Sequence, residues 1–272
     1  MIKKQYLKEI AIAATQQRGG ALNTSKDVIK VQSWLNLYAM VNPASGTATG
    51  IDGDFGPATE AAVKSFQKNK QLPQTGIVDA GLFSVLSQPM LNAFTTKAAG
   101  NDLRTIMVNT AMQHLANAPF ELTIKGQSNS GPWVRSYMDG MEGTPWFWCM
   151  GFVQTILDQA ASQLGKDFRT LMPLSYSCDT VATTGIHKGI LSRYTAVRSN
   201  PSLVKPGDIF LLQQTTFDWV HTGIITAVNG DLFETVEGNT NNDGSSNGNG
   251  VYKRVRNFQK SKLDVFSIQS LV

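Results

Sequence analysis

Thr144-Pro-Trp-Phe-Trp-Cys149-Met-Gly-Phe-Val-Gln-Thr-Ile-Leu-Asp-Gln159 decides the reading of this chain, because it sets one cysteine at the mouth of an apolar-periodic helix. Pro145 and the aromatic run read as extended chain. Phe152, Val153, Ile156, Leu157 and Ala160 recur at helical spacing, so Cys149 falls in the first turn. Unpaired backbone N–H groups at a helix start favour an anion, and a thiol placed there ionises more readily. Thiolate is the form that attacks a carbonyl carbon. A buried structural cysteine is the other reading of the position, since free cysteines are among the most buried residues.

Downstream, Val204-Lys-Pro-Gly-Asp-Ile-Phe-Leu-Leu212 is a turn followed by a buried-strand run. Trp219-Val-His221-Thr-Gly-Ile-Ile-Thr-Ala-Val228 reads as the next strand, with His221 at its start, and Asp231-Leu-Phe-Glu-Thr-Val-Glu237 as a third that ends in Gly238-Asn239-Thr240. A helix-start cysteine, a strand histidine and a carboxylate or amide on the neighbouring strand form a nucleophile, base and orienter set. Either Glu237 or Asn239 could orient the ring. Glu237 is expected to matter more, reaching Nδ1, because a carboxylate also stabilises the imidazolium.

From residue 102 to 272 the chain resembles a CHAP domain, the papain-like cysteine amidase or endopeptidase module of bacterial and phage cell-wall hydrolases. The resemblance is carried by Ser130-Gly-Pro-Trp-Val-Arg-Ser-Tyr137, Trp148-Cys149-Met-Gly-Phe-Val153, Pro206-Gly-Asp208, His221-Thr-Gly-Ile224 and Glu237-Gly-Asn-Thr240. It implies an α+β fold with helices packed on an antiparallel sheet, and Cys149, His221, Glu237 and Asn239 as catalytic residues. The implied activity is hydrolysis of a peptidoglycan amide, as an N-acetylmuramoyl-L-alanine amidase or an endopeptidase, without a cofactor. The oxyanion would meet the Cys149 N–H and a second donor that the sequence does not name. Met150 stands where a small residue is usual, so tighter packing behind the cysteine is expected.

His114, His187 and Cys178 lack the context of the three proposed residues. His114 lies in a helical pattern, His187 in a Gly-flanked turn, and Cys178, away from any strong helix start, reads as a packed thiol. No metal site is expected. Asp139 and Glu142 are too few for calcium, and Asp52-Gly-Asp54 has no acidic residue at the twelfth loop position.

Residues 24–88 carry a different pattern. Val28 to Leu37 and Ala58 to Lys68 are helical, separated by the turn Gly50-Ile-Asp-Gly-Asp-Phe-Gly-Pro57; Leu72 to Asp79 is a similar turn before a short third helix, Ala80 to Leu86. The alternation is a weak internal repeat. The segment resembles the three-helix peptidoglycan-binding domain attached to many wall hydrolases, through Val31-Gln-Ser-Trp-Leu35, Asp52-Gly-Asp-Phe-Gly56, Thr59, Ala62-Val63, Phe66-Gln67 and Gly76-Ile-Val78. The resemblance implies bacterial peptidoglycan as partner, with Asp52, Asp54, Phe55 and Thr59 around the first turn as expected contacts. Thr75 and Leu82 depart from the pattern, standing where Asp and Thr are common.

A length of 272 residues suits two domains joined by residues 89–101, which lack strong periodicity. The 24 basic and 20 acidic residues leave a net charge of only +4. Lys253, Arg254 and Arg256 are the densest basic group and read as a solvated strand face rather than a nucleic-acid surface. Residues 239–250, rich in Asn, Gly and Ser, read as a long mobile loop beside the site. No run is long enough for a membrane span, and no signal peptide is expected, so action in the periplasm or outside the cell would follow holin release or delivery by a secretion machine. An interbacterial toxin, with an immunity protein as partner, and a non-catalytic wall-binding protein are the alternative readings.

Overall fold

The computed structural model describes residues 1–243 and 245–272. In chain order the elements are α1 (Tyr6–Glu9), α2 (Ser25–Val41), α3 (Pro57–Asn69), α4 (Ala80–Leu86), α5 (Gln88–Thr95), α6 (Leu103–Ala116), β1 (Leu122–Ile124), β2 (Gln127–Ser130), α7 (Pro132–Tyr137), α8 (Cys149–Gln163), α9 (Cys178–His187), β3 (Leu191–Ser192), α10 (Tyr194–Ser199), β4 (Ile209–Thr215), β5 (Asp218–Asn229), β6 (Leu232–Thr240), β7 (Gly250–Asn257) and β8 (Leu263–Phe266). Every strand pairing among the described residues is antiparallel, which makes the chain α+β. It divides into two compact units, one of residues 4–94 and 120–146, the other of residues 1–3, 95–119 and 147–272.

In the first unit, side-chain caps and a proline set the helix starts. Thr24 accepts from Asp27 N at 3.2 Å before α2, Pro57 opens α3, and Asp79 accepts from Leu82 N at 2.8 Å before α4. Val28, Val31, Leu35, Val63, Phe66 and Phe83 are buried, and Tyr38 meets Phe66 edge-on at 4.9 Å. The internal repeat has a physical basis in two buried glutamines. Gln32 Nε2 donates to Asp52 Oδ1 (2.7 Å), and its Oε1 accepts from Asp52 N and Gly53 N. Gln67 Nε2 donates to Thr75 Oγ1 (2.9 Å), and its Oε1 accepts from Gly76 N. Gly53 and Gly76 both adopt positive φ, 84° and 73°. Thr75 therefore does with a hydroxyl what Asp52 does with a carboxylate.

Two sequence expectations about boundaries change here. The segment 89–101 is not a plain connection, because α5 occupies most of its first half. Residues 120–146 belong with the helical unit and not with the sheet. Trp133 of α7 lies 6.1 Å from Trp34 and 6.5 Å from Phe94, and Arg135 grips Glu9 through Nε (2.9 Å) and Nη2 (2.6 Å). Aromatic packing and a largely buried ion pair thus recruit a stretch that lies after the helices in sequence.

The second unit is built on a six-stranded sheet of order β3-β8-β4-β5-β6-β7. Phe210, Ile225, Phe233, Leu263 and Val265 form a buried cluster with Val197 of α10. Helix α8 is buried along Phe152, Val153, Ile156, Leu157 and Ala160, with Met150 fully enclosed behind the cysteine. Asp158 on the same helix accepts from the backbone N–H groups of Ile2 and Lys3, each at 2.8 Å through Oδ2, which ties the start of the chain to this unit. Among the described residues no helix is long and apolar enough to cross a membrane.

Candidate functional site

Cys149 is the first residue of α8, and the helix start has no side-chain cap, so its N–H groups are left to polarise whatever sits on the sulfur. The thiol is buried. Its pKa is held well below the usual thiol value: Cys178 lowers it most through a side-chain hydrogen bond, burial opposes, and His221 lowers it further. The effect on Cys178 is the reverse, since its proximity to Cys149, together with burial, raises its thiol. Cys178 is no bystander. It is the first residue of α9, so two helix starts meet at one pair of sulfurs.

His221 lies on β5 opposite Leu212 of β4 and is fully buried. Its Nε2 is 2.9 Å from Glu237 Oε2. The sequence expectation of a contact at Nδ1 is therefore corrected: Glu237 takes Nε2, Nδ1 has no hydrogen-bond partner of good geometry among the described residues, and Cys149 is the other group that acts on the ring. Burial works against a charged ring, but Cys149 and Glu237 outweigh it and raise the imidazole pKa to about 9. Depressed thiol and raised imidazole together favour thiolate and imidazolium at neutral pH.

Glu237 reaches the ring because β5 carries a glycine beneath it. A Cβ at Gly223 would stand 2.7 Å from Glu237 Cγ and 2.7 Å from Phe210 Cε1, so a side chain there would displace the carboxylate. Thr235 Oγ1 donates to Glu237 Oε1 at 2.5 Å. Arg256 of β7 donates through Nε to Oε1 and through Nη2 to Oε2, both at 2.6 Å. Burial raises the carboxyl pKa, and Arg256 first, His221 second, bring it down to about 2. Arg256 is 13% exposed along its side chain and lies 4.6 Å over the Phe210 ring, which corrects its reading as part of a solvated strand face.

No hydrogen bond joins the Asn239 side chain to His221 among the described residues. Its side-chain oxygen and nitrogen are buried without a hydrogen-bond partner among the described residues, and its backbone is left-handed at φ 55°. Gly238 before it packs against α8, where a Cβ would come within 2.6 Å of Phe152 Cβ.

A cleft of about 430 Å³ opens on the two sulfurs. Phe147, Tyr176, Trp219 and Asn247 line it, with Asp179, whose Oδ1 accepts from Trp219 N at 2.7 Å and so joins α9 to β5. The stretch expected as a mobile loop begins only after β6 ends at Thr240; Ser246 and Asn247 reach the cleft, and Gly244 lies outside the described residues. Gln154, fully buried on α8, donates to Pro173 O (2.9 Å) and accepts from Ser175 N (3.1 Å), fixing the segment that leads into Tyr176 and Cys178.

The residues expected to touch the wall divide. Phe55 and Thr59 are buried, Phe55 in the helical core and Thr59 on Gln32 at 3.0 Å, so neither is a contact surface. Asp52 and Asp54 are exposed, with Asp52 Oδ1 committed to Gln32 and to Asp54 N. Glu142 spends Oε2 on Gly131 N and Arg135 Nη1, both at 2.8 Å. His114 is a core histidine, its Nε2 3.0 Å from Gln159 Oε1.

Residues 24–86 match the family model of a peptidoglycan binding domain, which supports a cell-wall-associated protein with peptidoglycan as a partner. No curated protein and no solved structure matches the chain.

Proposed function

We propose that the chain is a peptidoglycan hydrolase that cleaves an amide bond through Cys149, a papain-like CHAP enzyme coupled to a wall-binding domain. The observation that carries this is the buried line from the helix-start thiol of Cys149 through His221 to Glu237, 2.9 Å beyond the ring. A merely structural cysteine needs neither a depressed pKa nor an imidazole backed by a carboxylate. The peptidoglycan-binding match over residues 24–86 supports peptidoglycan as the substrate class.

The steps follow from the charge states. The Cys149 thiolate attacks the amide carbonyl carbon, and the oxyanion forms beside the N–H groups at the start of α8. His221 passes its proton to the departing amine as the C–N bond breaks, leaving a thioester on Cys149. The neutral ring then takes a proton from water. Hydroxide attacks the thioester, the C–S bond breaks, thiolate and imidazolium are restored, and the product leaves as a carboxylic acid that loses its proton to solvent. The place of action is the bacterial wall, outside the cytoplasm.

Acid-quenched reactions with soluble stem-peptide fragments test the chemistry. Intact-mass spectrometry is expected to find an acyl adduct that maps to the Cys149 peptide. An adduct that persists in Cys149→Ala, or cleavage that Cys149→Ala retains at the wild-type rate, would overturn the proposal.

A further inference from the structure

We infer that Arg256 is a positioning residue of this site: its guanidinium clamps the Glu237 carboxylate against His221 and balances the charge buried around Cys149. The inference rests on the functional reading of Cys149 and His221 above. Its geometry is a fork on a carboxylate, two bonds of 2.6 Å from Nε and Nη2, with the guanidinium 4.6 Å from the Phe210 ring. A solvated strand residue would keep that group in water; this one is 13% exposed, and the carboxylate it holds is fully enclosed.

Counting charge shows what the fork does. In the reactive state the thiolate of Cys149 and the carboxylate of Glu237 are negative, and the imidazolium of His221 and the guanidinium of Arg256 are positive. The row alternates in sign and sums to zero. Without Arg256, the enclosed groups carry one excess negative charge. Two reliefs exist: the thiolate takes a proton, or Glu237 does and stops supporting the imidazolium. Both reduce the thiolate population near neutrality. Among the described residues, Cys149 of α8 and Glu237 of β6 act on the imidazole directly, Arg256 of β7 acts on Glu237, the Cys178 thiol of α9 acts on Cys149 and Asp179 on Cys178, whereas β4 presents the uncharged Phe210 and Leu212. No other cation in that set can replace the guanidinium. Lysine keeps the charge but not the fork, and so should restore part of the effect.

The rate at which iodoacetamide alkylates Cys149, followed by peptide mass spectrometry across pH, reads the thiolate without any need for peptidoglycan cleavage. In Arg256→Gln the midpoint is expected to rise by about one pH unit or more, with Arg256→Lys between it and the wild type. Thermal melts accompany each variant. A folded Arg256→Gln protein with an unchanged midpoint overturns the inference, and so does a lowered melting temperature with an unchanged midpoint, which is the signature of a purely structural contact. Should Arg256→Gln fail to fold, Arg256→Lys decides: a raised midpoint supports the role and a wild-type midpoint overturns it. Wild-type protein that does not cut peptidoglycan would refute the function proposed above and leave this titration intact.

Discussion

Glu237 Oε2 stands 2.9 Å from His221 Nε2, while the ring's Nδ1 has no hydrogen-bond partner of good geometry among the described residues. The carboxylate thus fixes the proton on the far nitrogen and turns the near one to Cys149. Glu237→Gln removes the charge and leaves Arg256 facing an amide, so kcat/KM on peptidoglycan is expected to fall on the order of 10²-fold or more. Asn239→Gly deletes an amide that has no hydrogen-bond partner among the described residues while tolerating φ 55°, and is expected to cost less than about tenfold without loss of stability. Steady-state kinetics with thermal melts compare them. A dead Asn239→Gly enzyme beside an active Glu237→Gln enzyme would reverse the assignment.

The pH profile follows from the ion pair. His221 titrates near 9, above its ordinary 6.5, and in the mechanism we propose its proton goes to the leaving amine. We expect kcat/KM to hold through neutrality and to fall as pH rises through about 9. Stability carries the same sign. A raised folded pKa contributes fully below 6.5 and is lost as pH climbs to about 9. Glu237, titrating at about 2, contributes fully above 4.5, and the contribution declines as pH falls from 4.5 through about 2. An alkaline limb centred near 6.5 would mean that the imidazole is not paired as described.

Cys178 offers a sharper test than a bystander would. Its thiol hydrogen-bonds to the Cys149 sulfur and lowers that group's pKa. Cys178→Ala is expected to raise the pH midpoint of Cys149 alkylation, and Cys178→Ser, which keeps a donor, to raise it less. Identical midpoints in all three proteins would return Cys178 to the role of packing residue.

Gln32 and Gln67 make the stability of the helical unit testable. Each bridges a loop of the repeat, and Gln32 makes more bonds: Asp54 O has its counterpart in Ile77 O for Gln67, whereas Thr59 Oγ1 and Asp52 N are additions. Truncation strands buried partners at about 1–3 kcal/mol per site, so Gln32→Ala is expected to lose more than Gln67→Ala. Urea denaturation of the full chain measures both. A larger loss from Gln67→Ala would show that the loops are braced by other contacts.

Local signals in the sequence carried the start of α8 and the strand of His221, because apolar period and turn residues report on their own neighbourhood. The repeat was legible too, though its glutamine pins were not, since nothing in sequence says that Gln32 reaches twenty residues onward. Arg256 and Cys178 escaped for the same reason. An arginine in an alternating basic strand reads as solvated until β7 is paired beside β6, which brings it to Glu237. Cys178 looked remote from any helix start, yet Ser177 caps α9 by accepting from Thr180 N at 3.2 Å and sets the thiol at the first position. Residues 120–146 were misplaced because aromatic partners such as Trp34 and Trp133 leave no mark on each other's local sequence.

The most direct test of the central claim is digestion of purified peptidoglycan by the full chain and by Cys149→Ala, with mass analysis of the soluble fragments and pull-down on the insoluble wall. The wild type is expected to release fragments bearing one new amine and one new carboxylate per cut. Cys149→Ala is expected to release none while sedimenting with the wall as the wild type does. Equal release by the two proteins, with the same fragment masses, would contradict the account.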